Sequence, residues 1–129
     1  MAGTHWDERT YESIDDADDL SCRPDFMCPI YAAYLGDRYK DNLAELGALV
    51  RITANTPQTF LAVTQDDKMR GAQSALLFVE LKKAGVPAEI HVYTEGGHGY
   101  GIRPSENPAS TWHHRLAQWM QARDLFVGQ

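Results

Sequence analysis

One histidine in a glycine-rich turn is the residue of this chain best placed to do chemistry. His98 lies within residues 95–101 (EGGHGYG), directly after the alternating apolar run 91–94. The flanking glycines allow positive φ angles and a sharp bend, so the turn can present the imidazole at the end of a strand. A histidine in such a place can act as a general base, because the imidazole group titrates close to neutral pH.

A carboxylate that could orient this base follows the preceding predicted strand, in residues 65–68 (QDDK). Asp66 and His98 are 98 − 66 = 32 residues apart, which leaves room for one helix and one strand between them. In parallel α/β sheets, ligands bind beyond the carboxyl ends of the strands, where consecutive strand ends lie side by side. We therefore expect a hydrogen bond between Asp66 and His98, which would fix the imidazole tautomer and stabilise the imidazolium.

The sequence offers no nucleophile to complete this pair. No Gly-x-Ser-x-Gly occurs, and none of the five serines, Ser13, Ser21, Ser74, Ser105 and Ser110, is flanked by glycines. Structural roles for these residues stay open as alternatives. A histidine in a glycine-rich loop is often structural, and an aspartate pair after a strand often only stabilises a turn. The spacing of the glycines disfavours a phosphate loop, and that of the histidines at 91, 98, 113 and 114 disfavours a metal site.

The elements that must position these residues are read from hydrophobic periodicity. Strands are predicted at 26–31, 58–64 and 88–94. Pro29 weakens the first prediction, because proline has no N–H to donate and belongs on an edge strand or at a bulge. A helix is predicted over 72–84, with an apolar face formed by Ala72, Ala75, Leu76 and Val79 and a stop at Gly85 and Pro87. Residues 35–57 are expected to be turn-rich.

A second helix is predicted near the end of the sequence. Ser110 is its expected N-cap, and its apolar stripe should face a sheet. That stripe consists of Trp112, Leu116, Trp119 and Met120. Strands separated by a helix predict a right-handed βαβ unit, so the fold class is α/β with three parallel strands and covering helices in a single domain over 1–129.

Composition excludes several classes of function. The chain has 129 residues, 43% of them hydrophobic and 23% charged, as is ordinary for a soluble globular domain. Its net charge of −6 argues against nucleic acid as a partner. No apolar run could span a membrane, and the first residues do not resemble a signal peptide. Residues 1–24 should form an acidic surface segment, and Cys22 and Cys28 should remain unpaired thiols.

Several segments together resemble the C-terminal half of an α/β-hydrolase. They are residues 23–35, 56–61 (TPQTFL), 66–67 (DD), 81–89 (LKKAGVPAE) and 96–101 (GGHGYG). The branch they resemble is the acetyl-xylan or feruloyl esterase-like group, which is related to dienelactone hydrolases and prolyl-oligopeptidase-type peptidases. The resemblance implies a triad in the order Ser, Asp, His. His98 would be the base and Asp66 the acid, with Asp67 as the second choice.

The sequence departs from the family pattern in lacking the nucleophile elbow. The resemblance implies that the chain starts within the helix after that elbow, so half of the sheet and the oxyanion loop are missing. Pro29 also stands where the family has an apolar strand residue, and Ala32 where it often has proline.

The function implied by this resemblance is carboxylic-ester hydrolysis, with acylated carbohydrate as one candidate substrate and no metal or organic cofactor. The rival hypothesis is a non-catalytic truncated or decayed hydrolase that acts as a binding module or only when paired with another chain. Under either hypothesis we expect the isolated chain to be either self-associated through the exposed sheet edge or only marginally folded, because the strand at 26–31 lacks its outer neighbour.

Overall fold

Three parallel strands and two α-helices form the framework of the protein, of which a computed structural model describes residues 2–36 and 45–126. The strands are β1 (Phe26–Met27), β2 (Gln58–Thr64) and β3 (Ala88–Tyr93), and they lie in the order β1-β2-β3 with both pairings parallel. The α-helices are α1 (Arg70–Lys83) and α2 (Trp112–Ala122), and 3₁₀ helices cover Ala2–Thr4, Asp16–Asp19 and Pro108–Thr111. The predicted α/β class and strand order are confirmed. The predicted loop at 35–57 lies partly outside the described residues.

Strand β2 is the centre of the fold and is buried on both faces. Leu61 packs in one cluster with Leu77 and Leu81 of α1. Phe60 and Ala62 pack in another with Trp119 of α2. Because alternate residues of a strand point to opposite faces, the two helices cover opposite sides of the sheet. Burial on both faces also explains why four consecutive residues of β2, Phe60, Leu61, Ala62 and Val63, are apolar.

Strand β1 is shorter than predicted. It pairs with β2 at Phe26 and Met27 only, and a single further bridge joins Ile30 to Ala62. Pro29 lies between these pairings and has no N–H to donate, although its carbonyl accepts a bond from Ala62 N at 3.3 Å. The φ angle of Tyr31 is 39°, so the chain leaves the extended conformation there.

The predicted apolar face of α1 is wrong. The residues that α1 buries against the sheet are Gly71, Gln73, Ser74, Leu77 and Leu81, whereas Val79 is 43% exposed. The helix begins close to the end of β2, where a Cβ on Gly71 would lie 3.0 Å from the carbonyl oxygen of Thr64. Small and polar side chains fill this narrow contact between α1 and β2. A prediction that relies on apolar residues therefore selects the face of α1 that points outward. The predicted helix end is confirmed, with Gly85 at φ 75° and Val86 N bonded to Leu81 O.

The apolar stripe of α2 faces the sheet as predicted, through its buried Trp119 and the partly buried Trp112, Leu116 and Met120. The predicted N-cap at Ser110 is wrong. A 3₁₀ helix precedes α2, and it is capped by the Asn107 side chain, which accepts a bond from Ala109 N at 2.8 Å. Pro108 occupies the first helical position, where proline is preferred, and this moves the cap upstream of Ser110.

The N-terminal segment is mostly exposed, as expected from its acidic composition. Arg51 forms ion pairs with Asp7 and Glu8 and so connects this segment to the rest of the chain. Cys22 and Cys28 are both free thiols, which confirms that they do not pair. In the described residues, no helix has the length and apolar character needed to cross a membrane.

Candidate active site

The turn that carries His98 is held against the end of β2. The Thr64 hydroxyl donates a hydrogen bond to the carbonyl of Gly97 at 2.7 Å. Gly96 has φ 149°, and a Cβ there would lie 2.8 Å from the Thr64 methyl group. Only glycine fits this conformation and this close approach. The turn therefore places His98 beside the residues that follow β2.

His98 is hydrogen-bonded to Asp67. Its Nδ1 lies 2.8 Å from Asp67 Oδ2, and the Asp67 side chain is only 3% exposed. The predicted contact between His98 and Asp66 is therefore wrong, and the second choice has the contact. A tight turn after β2 is the physical reason. Asp67 N bonds back to Thr64 O, and Lys68 takes φ 45°, so Asp67 turns inward while Asp66 stays exposed.

Asp66 holds the backbone of the histidine turn instead. Its carboxylate accepts hydrogen bonds from Gly96 N at 3.2 Å and from Gly97 N at 2.9 Å. These bonds, led by that from Gly97 and assisted by Thr64, lower the pKa of Asp66 below its ordinary value. Both members of the doublet thus contribute to the site, one through the imidazole and the other through the turn.

The contact with Asp67 fixes which nitrogen of His98 carries a proton. An ionised carboxylate can only accept, so Nδ1 must be the donor. The other nitrogen, Nε2, is then left unprotonated in the neutral ring. It makes no hydrogen bond within the described part of the chain, and the side chain is 47% exposed. This is the arrangement that a general base requires.

Two tyrosines pack beside the imidazole. The Tyr31 ring meets His98 edge to face with centroids 5.0 Å apart, and Tyr100 meets Tyr31 in the same way at 4.8 Å. Burial is the main cause that raises the pKa of Tyr100 well above its ordinary value. Tyr31 lies here because the chain leaves the extended conformation at this residue, where φ is 39°.

Arg70, the first residue of α1, was missed by the sequence analysis. Its Nη1 lies 2.9 Å from Asp67 Oδ1, so each oxygen of the buried carboxylate has its own partner. The signal was present in the sequence as an Asp and an Arg three residues apart at a helix start, a spacing that permits an ion pair.

No nucleophile meets His98 in the described residues, where no serine, threonine or cysteine is hydrogen-bonded to its ring. Burial raises the pKa of the Cys28 thiol to about 11, which makes it a poor nucleophile. Across residues 2–36 and 45–126, no group of three or more His, Cys, Asp or Glu side chains could hold a metal ion. His113 and His114 contact each other on α2, with ring centroids 4.1 Å apart.

A parallel sheet covered by helices on both faces, with an aspartate and a histidine after consecutive strands, is consistent with the α/β-hydrolases, in which Asp and then His follow the nucleophile along the chain. The chain belongs to the prolyl oligopeptidase family, which it matches over residues 30–123. This confirms the predicted relationship. A comparison with curated proteins gives no match.

Solved structures with the same fold are hydrolases. An acetyl ester-xyloside bifunctional hydrolase from Caldicellulosiruptor lactoaceticus is 28% identical, with a TM-score of 0.79 over 98% of this chain and 52% of that one. The α/β hydrolase MGS-M1, from a Medee basin deep-sea metagenome library, is 20% identical, with a TM-score of 0.66 over 94% of this chain and 48% of its own. A sugar hydrolase from Lactococcus lactis is 22% identical, with a TM-score of 0.61 over 79% of this chain and 49% of that one. The chain thus spans about half the length of the structures it matches.

Proposed function

We propose that His98 and Asp67 are the base and the acid of a serine-type carboxylic-ester hydrolase whose nucleophile lies outside these 129 residues. The observation that carries this proposal is the bond of 2.8 Å between a buried carboxylate and the Nδ1 of a half-exposed imidazole. Membership of a hydrolase family and likeness to hydrolase structures support it.

In this proposal, Nε2 of His98 takes the proton from an incoming serine hydroxyl and returns it to the leaving alcohol. Asp67 keeps Nδ1 protonated and stabilises the imidazolium that forms between the two steps. Asp66 keeps the turn in place through Gly96 and Gly97 and does not contact the ring. No metal or organic cofactor enters this chemistry.

The substrate class that we propose is a short acyl ester, with acylated carbohydrate as the candidate of first choice. The relative with the highest identity among these structures is described as an acetyl ester-xyloside bifunctional hydrolase, and another as a sugar hydrolase. A direct comparison of p-nitrophenyl acetate with acetylated xylo-oligosaccharide would test this choice.

A second candidate function is a non-catalytic interaction module. The observation that favours it is the lack of any hydroxyl or thiol bonded to His98 in the described residues. Under this hypothesis the Asp67–His98 pair is a remnant that stabilises the turn.

Fusion to a complementary half distinguishes the two candidates. The part of the Caldicellulosiruptor hydrolase that this chain does not cover would be joined to the chain, and p-nitrophenyl acetate hydrolysis would be measured. We expect activity that falls about 10⁴-fold in kcat with Asp67→Asn and is nearly abolished by His98→Ala. The matched control Asp66→Asn should cost far less, because this residue does not contact the ring.

The isolated chain should not react with a fluorophosphonate probe. Stoichiometric labelling of one of its serines would contradict the proposal. A folded fusion whose activity is insensitive to His98→Ala would also contradict it and would favour the interaction module.

A further inference from the structure

The carboxylate of Asp67 is held at two points by two different elements. His98, on the turn after β3, binds Oδ2 at 2.8 Å, and Arg70, the first residue of α1, binds Oδ1 at 2.9 Å. The Arg70 side chain is 28% exposed and thus largely covered. A carboxylate bound at both oxygens cannot rotate about its terminal bond without breaking one of these contacts.

A buried carboxylate also needs compensation for its charge, because its desolvation is costly. The imidazole supplies a positive charge only while it is protonated, whereas a guanidinium is charged at every relevant pH. The neighbouring Lys68 is exposed and makes no ion pair in the described residues, and Asp66 is itself an anion that binds the turn. Among the described residues, Arg70 is therefore the permanent positive charge in contact with Asp67.

The start of α1 is rigidly placed, which makes Arg70 suited to fix a neighbour. Arg70 N donates to Asp67 O at 2.9 Å, so main chain and side chain both bind the same residue. Gly71 packs against the end of β2, where a Cβ would lie 3.0 Å from Thr64 O. The N-terminus of a helix also favours a nearby carboxylate.

We propose that Arg70 is a positioning residue, which locks the carboxylate of Asp67 so that His98 keeps its proton on Nδ1 and leaves Nε2 free. Arg70 acts through Asp67 and does not contact the imidazole. This inference rests on the proposed role of His98 as a base, because a free Nε2 matters for catalysis only if that nitrogen takes a proton.

The tautomer of His98 can be measured in the 129-residue chain without any nucleophile. ¹⁵N chemical shifts of the imidazole ring distinguish the form protonated at Nδ1 from that protonated at Nε2. In the wild-type chain, at a pH where the ring is neutral, we expect the Nδ1–H form to dominate. Arg70→Met should lower its fraction at least about twofold, because a freed carboxylate no longer holds the ring.

Two further variants control for charge and for folding. Lys82→Met removes a positive charge from the same helix, 82 − 70 = 12 residues further on, about 18 Å away at 1.5 Å per residue. It should leave the tautomer unchanged. Arg70→Lys keeps the charge without the planar fork and should lower the Nδ1–H fraction by a smaller amount. If Arg70→Met does not fold, the Nδ1–H fraction in Arg70→Lys alone decides whether Arg70 positions Asp67.

The outcomes separate this inference from the proposed function. A wild-type His98 protonated mainly at Nε2 would overturn the proposed base and, with it, the role of Arg70. A wild-type ring protonated at Nδ1, with the same tautomer in every folded Arg70 variant, would overturn the role of Arg70 and leave the proposed function intact.

Discussion

At the scale of single residues, the two adjacent aspartates after β2 have separate roles. Asp67 is buried and binds His98 and Arg70, whereas Asp66 is exposed and binds the backbone of Gly96 and Gly97. Substitution of each aspartate would therefore disturb a different part of the site. Removal of Asp67 affects the imidazole, and removal of Asp66 affects the turn that presents it.

The role of Asp66 predicts that acid loosens the histidine turn. Its pKa in the folded chain is lowered by the bonds from Gly97, Thr64 and Gly96. A lowered pKa means that the ionised form stabilises the fold above the ordinary value of 3.8, and that this contribution is lost as pH falls through the lowered value. Amide protection factors at Gly96 and Gly97, measured by NMR between about pH 5 and pH 2 and corrected for the intrinsic exchange rate at each pH, should therefore fall toward acid.

The matched control for this titration is Asp66→Asn, which should remove the pH dependence of the protection factors at these two amides. Asp18 also has a lowered pKa, owing first to its bond from Tyr11, but it lies in the N-terminal segment. Protection factors at Gly96 and Gly97 that are independent of pH in the wild-type chain would contradict the role of Asp66.

The sequence predicted the residue types of the site better than their contacts. The glycine turn identified His98, and the strand end identified a carboxylate beside it. Which of two adjacent aspartates turns inward depends on the backbone angles after Thr64, including the positive φ of Lys68, and no residue pattern encodes these. The contact of Arg70 with Asp67 depends on where α1 begins, which was predicted two residues too late.

At the scale of elements, the predictions were most accurate where the hydrophobic pattern of an element is strong. Strand β2 is buried at nearly every position and was predicted well, as was the stripe of α2. The buried face of α1 contains glycine, glutamine and serine, so hydrophobicity did not reveal it. Strand β1 is short because Pro29 has no N–H to donate to the neighbouring strand, and this was visible in the sequence.

The corrected orientation of α1 predicts effects of very different size for two of its apolar residues. Leu81 is fully buried with Leu61 and Leu77, so Leu81→Ala should lower the free energy of unfolding by about 2–5 kcal/mol. Val79 is exposed on the other face, so Val79→Ala should change it by less than about 0.5 kcal/mol. Urea denaturation measures both, and similar losses in the two variants would show that the helix is turned differently.

At the scale of the whole molecule, the sheet has two open edges. Both β1 and β3 pair with β2 alone among the described residues. Such edges expose unpaired backbone groups, and parallel sheets are rarely this narrow. We propose, as the sequence led us to expect, that the isolated chain either self-associates through the edge at β1 or is only marginally folded. Large exposed side chains, among them Ile102 and Val92, add apolar surface.

Sedimentation velocity from low to high micromolar concentration tests this proposal. We expect the mean sedimentation coefficient to rise with concentration, and the thermal unfolding transition to be broad where the chain is dilute. A concentration-independent monomer with a sharp unfolding transition would contradict the proposal, because the open edge would then be protected by the chain itself.

The bonds that hold the acid and base together all join residues between Thr64 and His98. This has a kinetic consequence. Closing a loop of this modest length costs little entropy, and the loop consists of one helix between two adjacent strands. During folding, the pair can form as soon as β2, α1 and β3 meet, before α2 or β1 has docked. The packing of the Tyr31 ring against His98 is different, because it also requires the segment after β1 to dock.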